Sequence, residues 1–455
     1  MSVYTPSRST PPPLRLDLSF ASKLNLPNTR RVSKDGGMVL SWDTPLEKKQ
    51  NEGDLGDVSL EFIEEPLGVG ATNGFGYLQV EFGDRIGPDN RYEILRKLGW
   101  GAESSVWLAK DTVNNQFVAI KAMTGYTTNM VRMGVAFEAD ILEELSYHEK
   151  DTRGTHCLYL LDDFVQPSKD KADWGHLCMV IDLCGPSVAS LRTTAGRFSI
   201  SLLKKILLDI LGGLHHLHSL GIVYTDLRLE NIMMDLATGP HALDIETFIK
   251  ANPSERHPSE RTLGNKYVRV AKSQSLPLPP PDSWLSRSFI IGDFGNAQFL
   301  DMKVSDNIIT ANRRPPEILL EFPWNHKVDI WVFGCMLFEL IHGHELFDSL
   351  SSDLPSTESV LHQMLLYTGE RFSANTCQST SIASQFLDPK TGVLKRQMLT
   401  QPKNLCQEYK NTGVLDPAEN LEGANALIKK CLRLDLEDRP SAMDLLRDPW
   451  LNSKL

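Results

Sequence analysis

The 455-residue sequence predicts an α+β protein of two lobes, a small strand-rich lobe followed by a larger helical one. Three observations predict it. Between Tyr92 and Gly185, short apolar runs alternate with turn formers, as strands do. After Pro186 the runs lengthen and take the 3.6-residue spacing of helices. No segment repeats, so the two halves are not copies of one unit.

The N-terminal stretch "TPSRSTPPPLRL" consists of turn and extended-chain formers. Residues 1–34 carry several basic side chains with Asp17 as their sole acid, and 43–65 turn acidic. A flexible extension over 1–75 is expected, then a lead-in over 76–91. From Tyr92, "RYEILRKLGWGAESSVWLAKD" reads as two strands around a glycine-containing turn, and "QFVAIKAM" (Gln116 to Met123) as a third. "VAFEADILEELSYHE" places Phe137, Ile141, Leu142 and Leu145 on one helical face. "HCLYLLDDFV" and "LCMVIDLCG" complete a small lobe over 92–184.

In the larger lobe, 185–450, "SISLLKKILLDILGGLHHLHSLG" opens on a serine cap and stops at Gly221. A polar insert at about 240–286, with "NPSERHPSERT" and "SLPLPPPDS", reads as a poorly packing loop with at most one short helix. "VDIWVFGCMLFELI" (Val328 to Ile341) reads as a buried helix, too short to span a bilayer and interrupted by Asp329 and Glu339.

The composition, 41% hydrophobic and 23% charged, is that of a globular chain long enough for a substantial core. A net charge of -11 argues against nucleic acid as the main partner and suits a basic protein ligand. Seven scattered cysteines without a CxxC pair fit a reducing compartment better than a disulfide framework or a zinc site.

The chemistry lies in residues that are weak singly and strong in order. Gly99 and Gly101 let backbone amides approach phosphate oxygens, although a plain hairpin turn has the same glycines. Lys121 interrupts an apolar strand and needs an anionic partner there, which a phosphate or the Glu138 carboxylate would supply. Asp226, Asn231 and Asp293 put three oxygen ligands on two loops, the chemistry that holds Mg²⁺ on a triphosphate. "PPE" (Pro315 to Glu317) and "DIWVFG" (Asp329 to Gly334) follow.

This ordered set resembles the eukaryotic protein kinase signature over about residues 92–450. Arg439 in "LEDRPSAMDLLRDPW" resembles the late structural arginine of that fold, with Glu317 as its ion-pair partner. "LGWGAESSVWLAKD", "YTD" in place of HRD, "DFGNAQF" and the lead-in "GFGYLQVEFGDRIGPDNRYEI" are similar to the SR-protein kinase family, which phosphorylates serines in Arg/Ser-rich splicing factors. The insert between Asn231 and Asp293 is short, closer to the fungal form.

The resemblance implies ATP and Mg²⁺ as cofactors and assigns roles. Lys121, paired with Glu138, would hold the α- and β-phosphates, with Asp226 the base and Asn231 and Asp293 the metal ligands. Leu98, Gly99, Trp100, Gly101, Ala102, Ser104, Val106 and Ala119 would line the nucleotide. Ile181 is the gatekeeper, and Asp182 to Cys184 form the hinge that reads adenine. Arg314 matches the arginine of the wider kinase group. Thr225 replaces the arginine that grips a phosphorylated activation segment, and Asn296 to Ile309 contains only Ser305 as an acceptor, so activity without such phosphorylation is expected. Arg228 replaces a lysine that neutralises the transferring group, which predicts a slower enzyme.

A catalytically silent kinase-fold binding module is the alternative. A small-molecule phosphotransferase is disfavoured by "PPE", Arg314 and Arg439. The implied partner is a basic Arg/Ser-rich protein met by a monomer in cytoplasm and nucleus, with no membrane or direct nucleic-acid role. Asp348, Asp353 and Glu358 are candidate docking acids, with a solvated loop as the equal alternative.

Overall fold

The computed structural model describes residues 31–32, 38–39, 62–148, 152–169, 175–236, 243–262, 267–347, 356–396 and 421–453. It divides into two units, Met1–Ile63 and Glu64–Leu455. In the first, Arg31–Val32 pairs antiparallel with Met38–Val39.

The small lobe is one antiparallel sheet of six strands. In chain order these are β1 (Arg85–Ile86), β2 (Tyr92–Trp100), β3 (Ser104–Asp111), β4 (Gln116–Met123), β5 (Leu160–Gln166) and β6 (His176–Asp182). Their spatial order is β1-β2-β3-β4-β6-β5. Both faces are covered, so the period-2 alternation sorts side chains between two cores. On β4, Val118, Ile120 and Ala122 join one cluster with Tyr92, Ile94 and Trp107. Ala119 and Met123 face the other, with Ile141, Leu142 and Leu145 of helix α2 (Glu138–His148). Lys121 lies between Ala119 and Met123, on the face turned to the large lobe.

A helix that the sequence pattern did not predict, α1 (Gly125–Arg132), precedes α2. Its stretch lacks a long apolar stripe, but Thr124 caps it by accepting from the Thr127 amide.

The large lobe is built on α3 (Ile200–Ser219), started by the predicted cap: the Ser199 hydroxyl accepts from the Leu202 amide. Its Ile206, Leu207, Ile210, Leu211, Leu214 and Leu217 are fully buried. Gly221 follows with φ +71°, a conformation glycine adopts without strain. The predicted buried helix, α4 (Lys327–His342), ends at Gly343. Among the described residues no helix is long and apolar enough to cross a membrane.

Two boundaries differ from expectation. Glu64, Glu65, Leu67, Val69 and Ala71 are all buried, so packed structure reaches into the stretch expected to be flexible; most of the remainder of that stretch lies outside the described residues. The insert is also not a loosely packed loop. It carries a helix over Ile245–Ala251, a strand pair Glu260–Arg261 with Tyr267–Val268 and a 3-10 turn over Pro281–Ser286, and it buries Val270 and Ala271 against the small lobe. Ser254 donates to the Leu95 carbonyl at 2.7 Å, and the Gln274 amide to that of Lys97 at 3.0 Å. The Lys97 ammonium closes this seam, reaching Glu64 at 2.7 Å, Glu65, and the Ala271 carbonyl at 3.3 Å.

Candidate active site

The cleft between the lobes collects the charged residues that the sequence singled out. Lys121 stands opposite Val106 across the β3–β4 ladder and reaches two carboxylates, Glu138 at 2.5 Å and Asp293 at 2.7 Å. Burial works against its charge, but Glu138 and Asp293 outweigh it and hold its pKa above the ordinary lysine value. Burial pushes Glu138 up, opposed by Lys121. Asp293 is held below the usual carboxylate range, chiefly by Lys121. The lysine is therefore an ammonium fixed from both sides.

Asp226 and Asn231 lie on the loop after α3. The Asn231 side-chain amide donates to the Asp226 carboxylate and carbonyl, each at 3.0 Å, and Asn296 donates to the same carboxylate at 3.2 Å. Burial raises the pKa of Asp226, with Arg228 and Asn231 opposing. Because Asn231 spends its side-chain N–H groups on Asp226, its side-chain oxygen is left for a cation. With Asp293 it forms a hard-oxygen donor set that fits Mg²⁺.

The unusual catalytic loop has a structural explanation. Thr225 has φ +65°, rare for a β-branched residue. Fully buried Asp329 holds it there by accepting from the amides of Tyr224 at 2.9 Å and Thr225 at 2.8 Å. His218 also donates to Asp329, at 2.9 Å. The Thr225 hydroxyl donates to the Asn296 carbonyl at 2.6 Å, tying the catalytic loop to the segment after Asp293. Tyr224 is buried edge-on against Phe294, and its hydroxyl donates to the Gly292 carbonyl. The tyrosine thus joins the two loops that carry Asp226 and Asp293. Arg228 is turned to Glu230, its Nε donating at 3.0 Å.

Leu98, Gly99, Trp100, Gly101, Ala102 and Ser104 form the β2–β3 hairpin above the cleft, closed by the Gly101 amide donating to the Ser104 carbonyl at 2.8 Å. Ala119 and Ile181 face each other across the β4–β6 ladder. Asp182 ends β6 and Cys184 follows. Burial pushes the Cys184 thiol up to about 12, so it is an inert neutral side chain.

The sequence reading missed Tyr77. Its hydroxyl donates to the Gly101 and Ala102 carbonyls at 2.8 and 3.0 Å, and Trp100 packs edge-on against its ring. The lead-in therefore grips the hairpin tip. Glu103 was missed too, as a loop acid without a partner in the sequence pattern.

Of the candidate docking acids, Asp348 and Asp353 lie outside the described residues. Glu358 is buried and paired with Arg396 at 3.5 Å, so it does not present an open acidic groove. Arg314 donates to the Ile309 carbonyl at 2.8 Å and to Asn307 at 2.7 Å. Arg439 and Glu317 form the expected pair, buried and bidentate at 2.5 and 2.7 Å.

A glycine hairpin over a lysine–carboxylate pair, facing an Asp/Asn loop and a third acid, defines a phosphotransferase of the protein kinase class. The protein kinase domain family matches residues 92–260 and 285–451, and the chain belongs to that family. The gap between the two matched stretches, 261–284, falls within the insert. The serine/threonine-protein kinase SRPK of Physarum polycephalum is 28% identical over 88% of this chain and 93% of its own length. The protein kinase dsk1 of Schizosaccharomyces pombe is 26% identical over 62% of this chain and 66% of its own. A crystal structure of the PF14_0431 kinase domain superimposes with a TM-score of 0.58 at 20% identity, covering 83% of this chain and 99% of that one, which shows the fold. Within the family the chain is a serine/threonine kinase of SR-protein-kinase-like type.

Proposed function

We propose that the protein transfers the γ-phosphoryl group of ATP to serines of basic, Arg/Ser-rich proteins. The observation that carries this reading is the intact charge set of the cleft, Lys121 on Glu138 and Asp293 with Asp226 held by Asn231 and Asn296. A silent member of the fold has no need of every proton-accepting and metal-binding group together. The Arg/Ser preference rests on the likeness to the SRPK of Physarum polycephalum and on a net charge of -11.

In this reading the segment Asp182 to Cys184 holds adenine through its backbone, and Lys121 binds the α- and β-phosphates. Asn231 and Asp293 would hold Mg²⁺, which supplies charge neutralisation at the phosphates. The substrate hydroxyl sits against Asp226, which accepts its proton as the oxygen attacks. The two amide donors on Asp226 aim the carboxylate and leave its proton-accepting role to one oxygen. Arg228 meets the charge of the moving phosphoryl group, more weakly than a lysine because Glu230 competes for it. The protein acts as a monomer in cytoplasm and nucleus.

Transfer of labelled phosphate from Mg-ATP to an Arg/Ser-repeat peptide tests this. Transfer by the wild type that drops at least about 10³-fold in Asp226→Asn supports it. Nucleotide binding without transfer to that peptide or to any basic protein refutes it.

A further inference from the structure

Glu103 lies at the tip of the glycine hairpin, and the structure fixes its backbone on both sides. Its carbonyl accepts from the Thr124 amide at 2.9 Å, while Tyr77 holds the carbonyls of the two preceding residues. From there the side chain points down into the cleft. A Cβ placed on Gly295 would stand 3.6 Å from a Glu103 carboxylate oxygen, 3.6 Å from one of Glu138 and 3.5 Å from one of Asp293. Three acids thus surround one small volume, and Lys121, bound to two of them, is the cation among them.

Glu138 and Asp293 have roles in the kinase reaction; Glu103 has none. Its position matters because the hairpin must cover the phosphates of a bound nucleotide, and a carboxylate at the tip opposes their charge. The anchored backbone leaves only side-chain rotation to withdraw it. The cost falls on phosphate rather than on adenine, whose site lies at the Asp182 to Cys184 segment.

We propose that Glu103 is a specificity-determining residue of the nucleotide cleft. Its carboxylate occupies the approach to Lys121 and Asp293, so it lowers affinity for polyphosphate in proportion to unneutralised charge. A divalent cation relieves this, which makes nucleotide binding strongly metal-dependent. The inference rests on the cleft being the nucleotide site.

The test is calorimetric titration of wild type, Glu103→Gln and Glu103→Ala with adenosine, ADP and ATP, each with and without Mg²⁺. Gln keeps the size and removes the charge. The expected result is metal-free ATP binding about tenfold tighter in both variants, a smaller gain for ADP, and adenosine changed less than about twofold. With Mg²⁺ the ATP gain shrinks. An equal gain for adenosine would overturn the proposal, because it would show a disturbed hairpin. Weaker Mg-ATP binding in Glu103→Gln would overturn it as well, marking Glu103 as a metal ligand. A wild type that binds neither adenosine nor ATP would fail the nucleotide-site reading itself, a distinct outcome.

Discussion

Lys97 offers the sharpest test of how the insert is held. Its side chain is fully buried, and it faces Glu64 and Glu65, which are nearly so. Burial draws the Lys97 pKa down to about 8, whereas Glu64 stays below its ordinary value because Lys97 and Ser273 outweigh its own burial. The cost of burying the cluster thus falls on the lysine and the gain appears on the acid. Lys97→Met removes the cation, keeps most of the volume, and strands two carboxylates away from water. Breaking a buried pair from one side typically costs about 3–5 kcal/mol. Ser273 still donates to Glu64 through its amide and its hydroxyl, so the lower end, about 3 kcal/mol, is expected.

Denaturant unfolding gives the loss, and hydrogen exchange gives its location. The amides of His257, Lys272 and Gln274 are bonded within the insert or across the seam. They should lose protection before those of α3, whose core is remote from the change. Adding Glu64→Gln and Glu65→Gln to Lys97→Met should restore at least half of the stability, because the stranded charges are then gone. A loss under about 1 kcal/mol with protection of 252–274 unchanged would refute the claim that this cluster holds the insert on the small lobe.

Arg439→Lys replaces the bidentate contact to Glu317 with a single point charge and should cost about 3 kcal/mol, read from the unfolding midpoint. Ser305→Ala should leave kcat within about twofold of wild type in the peptide assay, since Thr225 rather than a phosphate anchors the segment after Asp293. His342 is buried against Phe338, and burial draws its pKa down to about 4. The unfolded chain therefore binds a proton near pH 6.5 that the folded one refuses: the stability is complete above that value and is lost as pH falls towards 4. Wild type should lose about 2 kcal/mol more than His342→Phe between pH 7 and pH 5, measured by denaturant unfolding.

What the sequence disclosed and what it hid divide along a physical line. The strand Gln116–Met123 was legible to the residue, because alternation and a lone lysine on an apolar face leave few other readings. Glu138, Asp226, Asn231 and Asp293 were legible because their chemistry demands those residue types in that order. Lys97 was not. In "RYEILRKLGW" strict alternation places Arg96 with Tyr92 and Ile94 and turns Lys97 to the opposite face. The ladder to β3 slips between Ile94 and Arg96 and again between Lys97 and Gly99, and both Arg96 and Lys97 end up buried. A bulge re-aims a side chain without any mark in composition.

The insert was hidden for a related reason. Its Pro, Ser and charged residues predict poor packing, yet it is held by the Lys97 cluster, by hydrogen bonds to the Leu95 and Lys97 carbonyls, and by two small apolar residues, Val270 and Ala271, packed against residues far away in sequence. Tyr224 makes the same point inside the site. From sequence it is only a departure from histidine; in the fold its ring meets Phe294 and its hydroxyl meets Gly292, so the residue adds a bond between the two loops that carry Asp226 and Asp293. Whether such a substitution weakens or reinforces a site is decided by the groups around it, and those come from segments that only the tertiary fold brings together. That is why the departures in "YTDLRLEN" do not add up to a dead catalytic loop: Thr225 and Tyr224 each gain a partner, and Arg228 alone is shared with a competitor, Glu230.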